Sequence, residues 1–203
     1  MRASFKRSKP ALLLIALIAL SGCYLPASFD AELQLSRTGL YKMKFDGYIV
    51  ETTLYKELRE NKINKKTAQE KIARVIRDFK RDRATKRVTY FGQGAFQVNW
   101  SKGGDIIKSR QVTFFRRNEN MLSITYNKNT ARITLAGRYI KRRDADRLRT
   151  MGLDVKGVIL IKTDAKVLSH NAQKTFPEGA ITIYGWELKS VYDLAPKMEV
   201  MLH

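Results

Sequence analysis

The chain has 203 residues, and its 39 lysines and arginines against 19 aspartates and glutamates give a formal charge of +20. A charge of this size indicates an anionic partner, such as a phospholipid surface, lipopolysaccharide phosphates or nucleic acid. The single cysteine excludes an internal disulfide framework, and the two histidines have no metal-ligand spacing, so we expect no metal or cofactor.

Residues 1–22 have the pattern of an export signal. A basic stretch precedes an apolar run at residues 11–20, which is followed by the small residues Ser21 and Gly22. Ten apolar residues rise about 15 Å as a helix, which is half of a ~30 Å hydrocarbon core. The run is therefore too short to span a membrane and predicts a cleaved signal peptide.

The four residues Leu20-Ser21-Gly22-Cys23 resemble the lipobox of bacterial lipoproteins. The resemblance implies that the Cys23 thiol is joined to diacylglycerol, that cleavage precedes Cys23, and that the freed amine is then acylated by a fatty acid such as palmitate. The alternative is a generic signal peptide beside an unrelated cysteine. Under lipoprotein sorting, Tyr24 after the cysteine favours the periplasmic face of the outer membrane, in a cell that has one.

We expect residues 23–30 to form a short lipidated tether and residues 31–203 to form one basic domain. At ~3.3 Å per extended residue the tether spans less than ~25 Å, so the domain would lie close to the bilayer. Cleavage leaves 35 basic and 19 acidic residues, a charge of about +16. Each lysine or arginine near an anionic membrane surface contributes ~1 kcal/mol to binding.

The first elements predicted within the domain are a β-hairpin and a long helix. Apolar and polar residues alternate on both sides of a turn at residues 37–39. A short helix or an irregular connector follows at 51–62, and Thr67 and Glu70 then fit a capping box at the start of a helix. The apolar stripe of that helix consists of Ala68, Ile72, Val75, Ile76 and Phe79.

The opposite face of this long helix is basic. Residues 59–87 contain twelve basic and four acidic residues, so ion pairs such as Glu70–Arg74 cannot neutralise the whole segment. We interpret the face as a candidate anion-binding site, and the alternative is an ordinary solvated helix surface. Its members are Lys66, Arg74, Arg77 and Arg81.

Residues 87–138 predict a β-meander of strands joined by short turns. A second helix is predicted at roughly 142–151 with Gly152 as its C-terminal stop, and its Arg142 and Arg143 are further candidate anion-binding residues. Two β segments follow, at 153–164 and 180–188. The whole pattern predicts a single α+β domain in which an antiparallel sheet packs its apolar face on two helices.

The segment 144–188 resembles the end of LppM-type lipoprotein domains. In those domains a short helix precedes a Gly-Asp-Val-like strand, a V-x-S-x-N element follows, and a strand with a tryptophan closes the sheet. The resemblance implies a lipid-anchored α+β envelope domain without known catalysis, and lipid or glycolipid binding is proposed for some relatives. The matching positions are Gly152, Asp154, Val155, Val167, Ser169, Asn171 and Trp186.

The sequence offers no catalytic constellation, so we expect no enzyme. His203 is the last residue, and His170 lies in a predicted turn with a structural role. No nucleophile elbow, zinc-helix motif or phosphate loop occurs, and the stretch "FGQGAF" at 91–96 predicts a bulge or kink in a strand. Asp144 and Asp146 adjoin several arginines and predict local ion pairs.

The expected function is binding of anionic lipid or glycolipid at the surface of the envelope membrane. The alternative is an assembly or scaffold factor that binds another envelope protein. Aromatic residues among basic ones also occur in proteins that bind single-stranded nucleic acid, but strand alternation explains most of these as core, and export removes the usual substrate. These aromatics are Tyr90, Phe91, Phe96, Trp100, Phe114 and Phe115.

Overall fold

The structure, a computed structural model, describes residues 24–116 and 119–202. Cys23 and the predicted signal peptide lie outside the described residues. The helices are α1 (Thr52–Arg59), α2 (Lys65–Lys80), α3 (Ile106–Ser109) and α4 (Arg142–Thr150). The strands are β1 (Tyr24–Leu35), β2 (Leu40–Glu51), β3 (Thr85–Gly92), β4 (Ala95–Asp105), β5 (Gln111–Arg116), β6 (Glu119–Asn127), β7 (Arg132–Gly137), β8 (Lys156–Thr163), β9 (Lys166–His170), β10 (Lys174–Glu178), β11 (Ile181–Leu188) and β12 (Lys197–Met201).

These strands form two sheets, which confirms the α+β class. The larger sheet has the order β10-β11-β8-β1-β2-β4-β3, and the smaller has the order β5-β6-β7-β12-β9. The pairs are antiparallel apart from β1 and β8, which run parallel in register from Ser28↔Lys156 to Leu35↔Thr163. The expectation of an antiparallel sheet therefore holds for every described pair except that one.

The predicted meander at 87–138 is wrong as a single sheet. Strands β3 and β4 belong to the larger sheet, whereas β5, β6 and β7 belong to the smaller one. The chain changes sheets at α3, where the Asp105 side chain accepts hydrogen bonds from the backbone N–H groups of Ile107 (2.8 Å) and Lys108 (3.3 Å). Local alternation predicts each strand but carries no information about the sheet that the strand joins.

The inner faces of the two sheets pack on each other as a sandwich. The rings of Phe45 in the larger sheet and Phe114 in the smaller one stack with centroids 4.4 Å apart. Trp100 meets the same Phe114 ring edge-on at 4.9 Å, and both aromatic side chains are buried. Burial of Phe96, Trp100 and Phe114 agrees with their prediction as core, whereas Phe91 is 69% exposed.

Helix α2 covers one end of this inner face. Phe79 is fully buried, with ring centroids 5.6 Å from Tyr24 and 6.5 Å from Phe96, which confirms the predicted apolar stripe. The predicted capping box at Thr67 is wrong, because the helix begins at Lys65. Asn64 is the N-cap, and its side-chain oxygen accepts from the Thr67 N–H at 2.9 Å.

Helix α4 packs near the start of β1 and the end of β2. Its Ala145 is buried in a second apolar cluster with Leu25 and Val50. The helix ends as predicted, since Gly152 has a φ of +79° and the Leu153 N–H donates to the Leu148 carbonyl at 2.9 Å. This pattern is a Schellman motif, which favours glycine because other residues are strained at positive φ.

The segment expected as a tether is strand from Tyr24 onward. Tyr24 pairs with Glu51 and Leu25 with Val50, so β2 holds β1 from its first residue. Pro26 and a register shift between Pro26 and Ser28 interrupt the alternation that would have predicted a strand there. Almost no free chain therefore separates position 23 from the folded domain.

Candidate functional site

A cavity of about 530 Å³ opens into the space between the two sheets. Its inner wall is apolar and includes Phe29, Ala31 and Phe45 from the larger sheet with Phe114 and Leu122 from the smaller one. This volume falls within the range of about 300–1,000 Å³ that is usual for small-molecule sites. The cavity can therefore enclose the apolar part of a small ligand.

Small residues next to Phe29 help to leave this space open. A Cβ added at Gly157 would lie 2.7 Å from Phe29 Cδ1, and one added at Gly47 would lie 2.5 Å from Phe29 Cβ. The Phe29 ring therefore lies close against the sheet, where it stacks on Phe45 with centroids 5.4 Å apart. Ala31, two residues along the same strand, adds only a methyl group to the wall.

The exposed lining residues define the mouth of the cavity. They are Arg138, Tyr139 and Lys141 in the β7–α4 linker (138–141), Arg147 on α4, Asp193 in the β11–β12 loop (189–196) and Lys44 on β2. Here the basic groups of Arg138, Lys141 and Arg147 are exposed. The mouth can therefore attract an anionic group while the interior holds apolar atoms.

The acidic residues at the mouth are already engaged. Asp144 lies 3.9 Å from Arg143 and 3.9 Å from Arg147. One carboxylate oxygen of Asp193 accepts from the backbone N–H groups of Lys189 (2.6 Å) and Ser190 (2.9 Å). Four basic residues, Arg138, Lys141, Arg143 and Arg147, accompany these two carboxylates around the mouth, so the local charge is positive.

Asn171 holds the β11–β12 loop from one side. Its Oδ1 accepts from the indole N–H of buried Trp186 at 2.9 Å and from the Lys197 N–H at 2.7 Å. Its Nδ2 donates to the Ala195 carbonyl at 2.9 Å. Asn171 and Trp186, which carry part of the LppM-type resemblance, are thus direct partners that set the path of the loop.

Asp154 holds the other end of the same loop. Its Oδ1 accepts from the Val155 N–H at 2.9 Å and from the Val191 N–H at 2.8 Å. Its other carboxylate oxygen pairs with Arg149 near the end of α4. This position therefore joins the helix, the start of β8 and the loop.

Tyr192 connects the loop directly to α4. Its hydroxyl donates to Asp146 at 2.7 Å, and the hydrogen bond to this carboxylate raises the pKa of Tyr192 above its ordinary value. The Arg142 guanidinium carbon lies 4.4 Å from the centroid of the Tyr192 ring, and Arg142 pairs with Asp146 at 3.4 Å. The two sides of the mouth are therefore held in one relative position.

The structure separates the sequence-predicted anion-binding residues into two groups. Lys66, Arg74, Arg77 and Arg81 are exposed on or at the end of α2 and do not line the cavity, and Arg81 pairs with Asp78 at 3.2 Å.

Arg142 and Arg143 are exposed at the start of α4, beside the mouth, where they form the predicted local ion pairs with Asp146 and Asp144. Arg138, Lys141 and Arg147 line the cavity but were not among the residues predicted from the sequence. The basic run at 138–149 was the available signal for them.

Other site classes have little support in the described part of the chain. His170 is structural in its contacts, since its Nδ1 accepts from the Ala172 N–H at 3.1 Å and its ring meets Tyr184 at 4.8 Å. The bulge predicted at 91–96 agrees with a register shift between Tyr90 and Gly92 at the end of β3, and Gly94 lies in the β3–β4 turn. Within residues 24–116 and 119–202, we find no metal-binding group of three or more acidic, histidine or cysteine side chains and no helix suited to crossing a membrane.

No family model and no curated protein matches the chain. Among solved structures, it is similar to the folded domain of LppM from Mycobacterium tuberculosis, with 13% identity, a TM-score of 0.46, and coverage of 90% of this chain and 94% of that one. It is also similar to an M1 zinc metallopeptidase from Deinococcus radiodurans, with 8% identity, a TM-score of 0.34, and coverage of 88% of this chain and 42% of that one. Similarities at these levels carry no argument about function.

Proposed function

We propose that this protein is a non-enzymatic envelope lipoprotein that binds one anionic lipid or glycolipid molecule. The apolar part of the ligand occupies the cavity, and its charged headgroup lies at the mouth. The observation that carries the proposal is an apolar cavity of about 530 Å³ whose mouth presents Arg138, Lys141 and Arg147.

Two favourable interactions, burial of apolar groups and charge-assisted hydrogen bonding, support an amphipathic ligand. Each CH₂ group moved from water into the cavity contributes about 0.8 kcal/mol, so a single acyl chain gains several kcal/mol before ordering costs. Arginine guanidinium groups bind phosphate or carboxylate oxygens with charge-assisted hydrogen bonds. The carboxylates of Asp144 and Asp193 are occupied by basic or backbone partners, which favours binding over acid–base chemistry at this site.

The export signal and the lipobox-like residues support the location. An acyl anchor on Cys23 would hold the domain at the membrane, and Tyr24 after the cysteine favours the outer membrane of a cell that has one. Tyr24, Leu25 and Pro26 all line the cavity, so the anchor position adjoins the proposed site.

The test is lipid capture by residues 23–203 carrying Cys23→Ser, a chain that retains every described residue. After expression in a bacterium and purification without detergent, native mass spectrometry should detect one anionic lipid per chain. Ala31→Phe adds a ring inside the cavity and should lower the lipid-bound fraction at least tenfold, a change of about 1.4 kcal/mol or more.

Val158→Phe is the matched control, because Val158 is an exposed residue of β8 directly before the cavity-lining Ile159. It should capture lipid like the parent chain. Equal capture by Ala31→Phe and the parent chain, at equal thermal stability, would refute the cavity as the site.

A second candidate function is assembly or scaffolding through another envelope protein. The exposed basic face of α2, formed by Arg74, Arg77 and Arg81 away from the cavity lining, favours this alternative. A preparation without bound lipid but with a stoichiometric envelope protein, lost when the α2 arginines are changed to Glu, would support it.

A further inference from the structure

The mouth of the cavity has exposed apolar side chains on both of its sides. Tyr139 in the β7–α4 linker is 72% exposed, and Leu194 in the β11–β12 loop is 78% exposed. These are the two highest exposures among the large apolar side chains of the described residues. Tyr139 lines the cavity, and Leu194 lies between the lining residues Asp193 and Ala195.

Basic residues surround this pair. Residues 138–149 contain six lysines and arginines and two aspartates, and both aspartates already pair with arginines of α4. An exposed apolar tip within a basic rim is complementary to an anionic bilayer, where apolar groups enter the interface and cations meet the headgroups. Tyrosine suits this position because its ring is apolar and its hydroxyl can remain hydrated.

The β11–β12 loop is already fixed in position by side-chain contacts. Tyr192 joins the loop to α4 through Asp146 at 2.7 Å and Arg142 at 4.4 Å. Asn171 ties the loop to buried Trp186 at 2.9 Å. Because these bonds already order the loop, docking would cost little additional conformational entropy.

We propose that the mouth of the cavity is a membrane-docking surface for an anionic lipid bilayer, with Tyr139 and Leu194 entering the interfacial region. The cavity would then open toward the bilayer, so that a lipid could pass between membrane and protein without crossing bulk water. The docking surface extends the proposed function, and its role in lipid transfer rests on that function.

The start of the chain supports this orientation. Tyr24, the residue that directly follows the predicted anchor, lines the cavity. With strand pairing from Tyr24 onward, an acyl anchor on Cys23 could not swing far from the cavity. Anchor and mouth would thus contact the same bilayer.

Membrane insertion can be measured at one residue, because Cys23 is the only cysteine of the chain. In residues 23–203 with Cys23→Ser, Leu194→Cys would carry an environment-sensitive fluorophore. Adding phosphatidylcholine vesicles that contain phosphatidylglycerol should shift its emission to the blue, and pure phosphatidylcholine should not. Phe176→Cys, at a residue that is 52% exposed on β10, is the control and should show no shift.

Vesicle flotation tests the contribution of the apolar pair. Tyr139→Ser with Leu194→Ser should lower binding to the anionic vesicles roughly tenfold, since burial of even one such side chain is worth ~1.5 kcal/mol or more. Phe91→Ser with Phe176→Ser removes two comparably exposed aromatics elsewhere, at 69% and 52% exposure, and should change binding less than twofold.

Three results would overturn the docking surface: no emission shift at Leu194→Cys, an equal shift at Phe176→Cys, or equal losses for the two double variants. Failure of docking and failure of the proposed function are distinguishable. Leu194→Ser alone, at a residue outside the cavity lining, should weaken flotation and still capture lipid from dispersed monomers, whereas Ala31→Phe should lose capture and still float with anionic vesicles.

Discussion

At the scale of single residues, Asn171 shows how a polar side chain can set the shape of a binding site. It satisfies the indole of Trp186, which is buried, and holds both Ala195 and Lys197 around the β11–β12 loop. The mouth depends on this loop, although Asn171 does not line the cavity itself. We therefore assign Asn171 a positioning role.

Asn171→Ala should lower the free energy of unfolding by about 2–4 kcal/mol, because it removes three hydrogen bonds and leaves a buried indole N–H unpaired. Urea unfolding measures this loss, and the near-ultraviolet circular dichroism of Trp186 should weaken. His170→Ala, one residue away, is the control and should leave stability within ~1 kcal/mol and lipid capture unchanged. Lost lipid capture in a folded His170→Ala chain would contradict the structural role of His170 and would favour a catalytic or metal-binding role for it.

At the scale of elements, two basic helices compete for the role of anion contact. Helix α2 exposes Lys66, Arg74 and Arg77 but contributes no residue to the cavity lining, whereas α4 places Arg147 at the mouth. The prediction that α2 binds anions remains a prediction. Charge reversal on each helix separates the two locations, because both variants change the net charge by the same amount.

Lys141→Glu, Arg143→Glu and Arg147→Glu together should abolish most binding to anionic vesicles at about 0.15 M salt. Arg74→Glu, Arg77→Glu and Arg81→Glu should retain more than half of it, since charges beyond a Debye length of ~8 Å are largely screened. All six side chains are exposed, so both triple variants should fold, as far-ultraviolet circular dichroism can verify. The opposite order of losses would place the anion site on α2.

At the scale of the whole molecule, the predicted anchor and the folded domain are nearly contiguous. Pairing begins at Tyr24↔Glu51, so a lipid on Cys23 would restrict both the distance and the orientation of the domain relative to a bilayer. This geometry would give an acyl anchor on Cys23 a second role, because the next residue, Tyr24, already lines the cavity.

Cys23→Ala should abolish incorporation of radiolabelled palmitate and should leave the unprocessed precursor in the cell, because the lipobox-like residues predict the Cys23 thiol as the site of lipid transfer. Gel mobility and autoradiography measure both effects. Ser21→Ala keeps a small residue before the cleavage site and should be labelled like the parent chain. Palmitate labelling of the Cys23→Ala chain would contradict the lipoprotein assignment.

The sequence by itself determined the features that depend on neighbours along the chain. The α2 stripe follows from a repeat of three and four residues, the β1–β2 hairpin from alternation around the turn at 37–39, and the end of α4 from the backbone freedom of Gly152. The ion pairs of Asp144 and Asp146 were predictable for the same reason, since their partners lie within four residues.

Only the tertiary structure decided where the cavity lies and which cations face it. Leu33 in β1 pairs with Ile161 in β8, and Trp186 reaches Asn171 across a strand and a turn, so their relation depends on how distant segments meet. Hydrophobic alternation shows that Ala31 and Phe114 point inward but not that their sheets leave a space between them. That space depends on the packing of all the surrounding side chains at once, which no local period encodes.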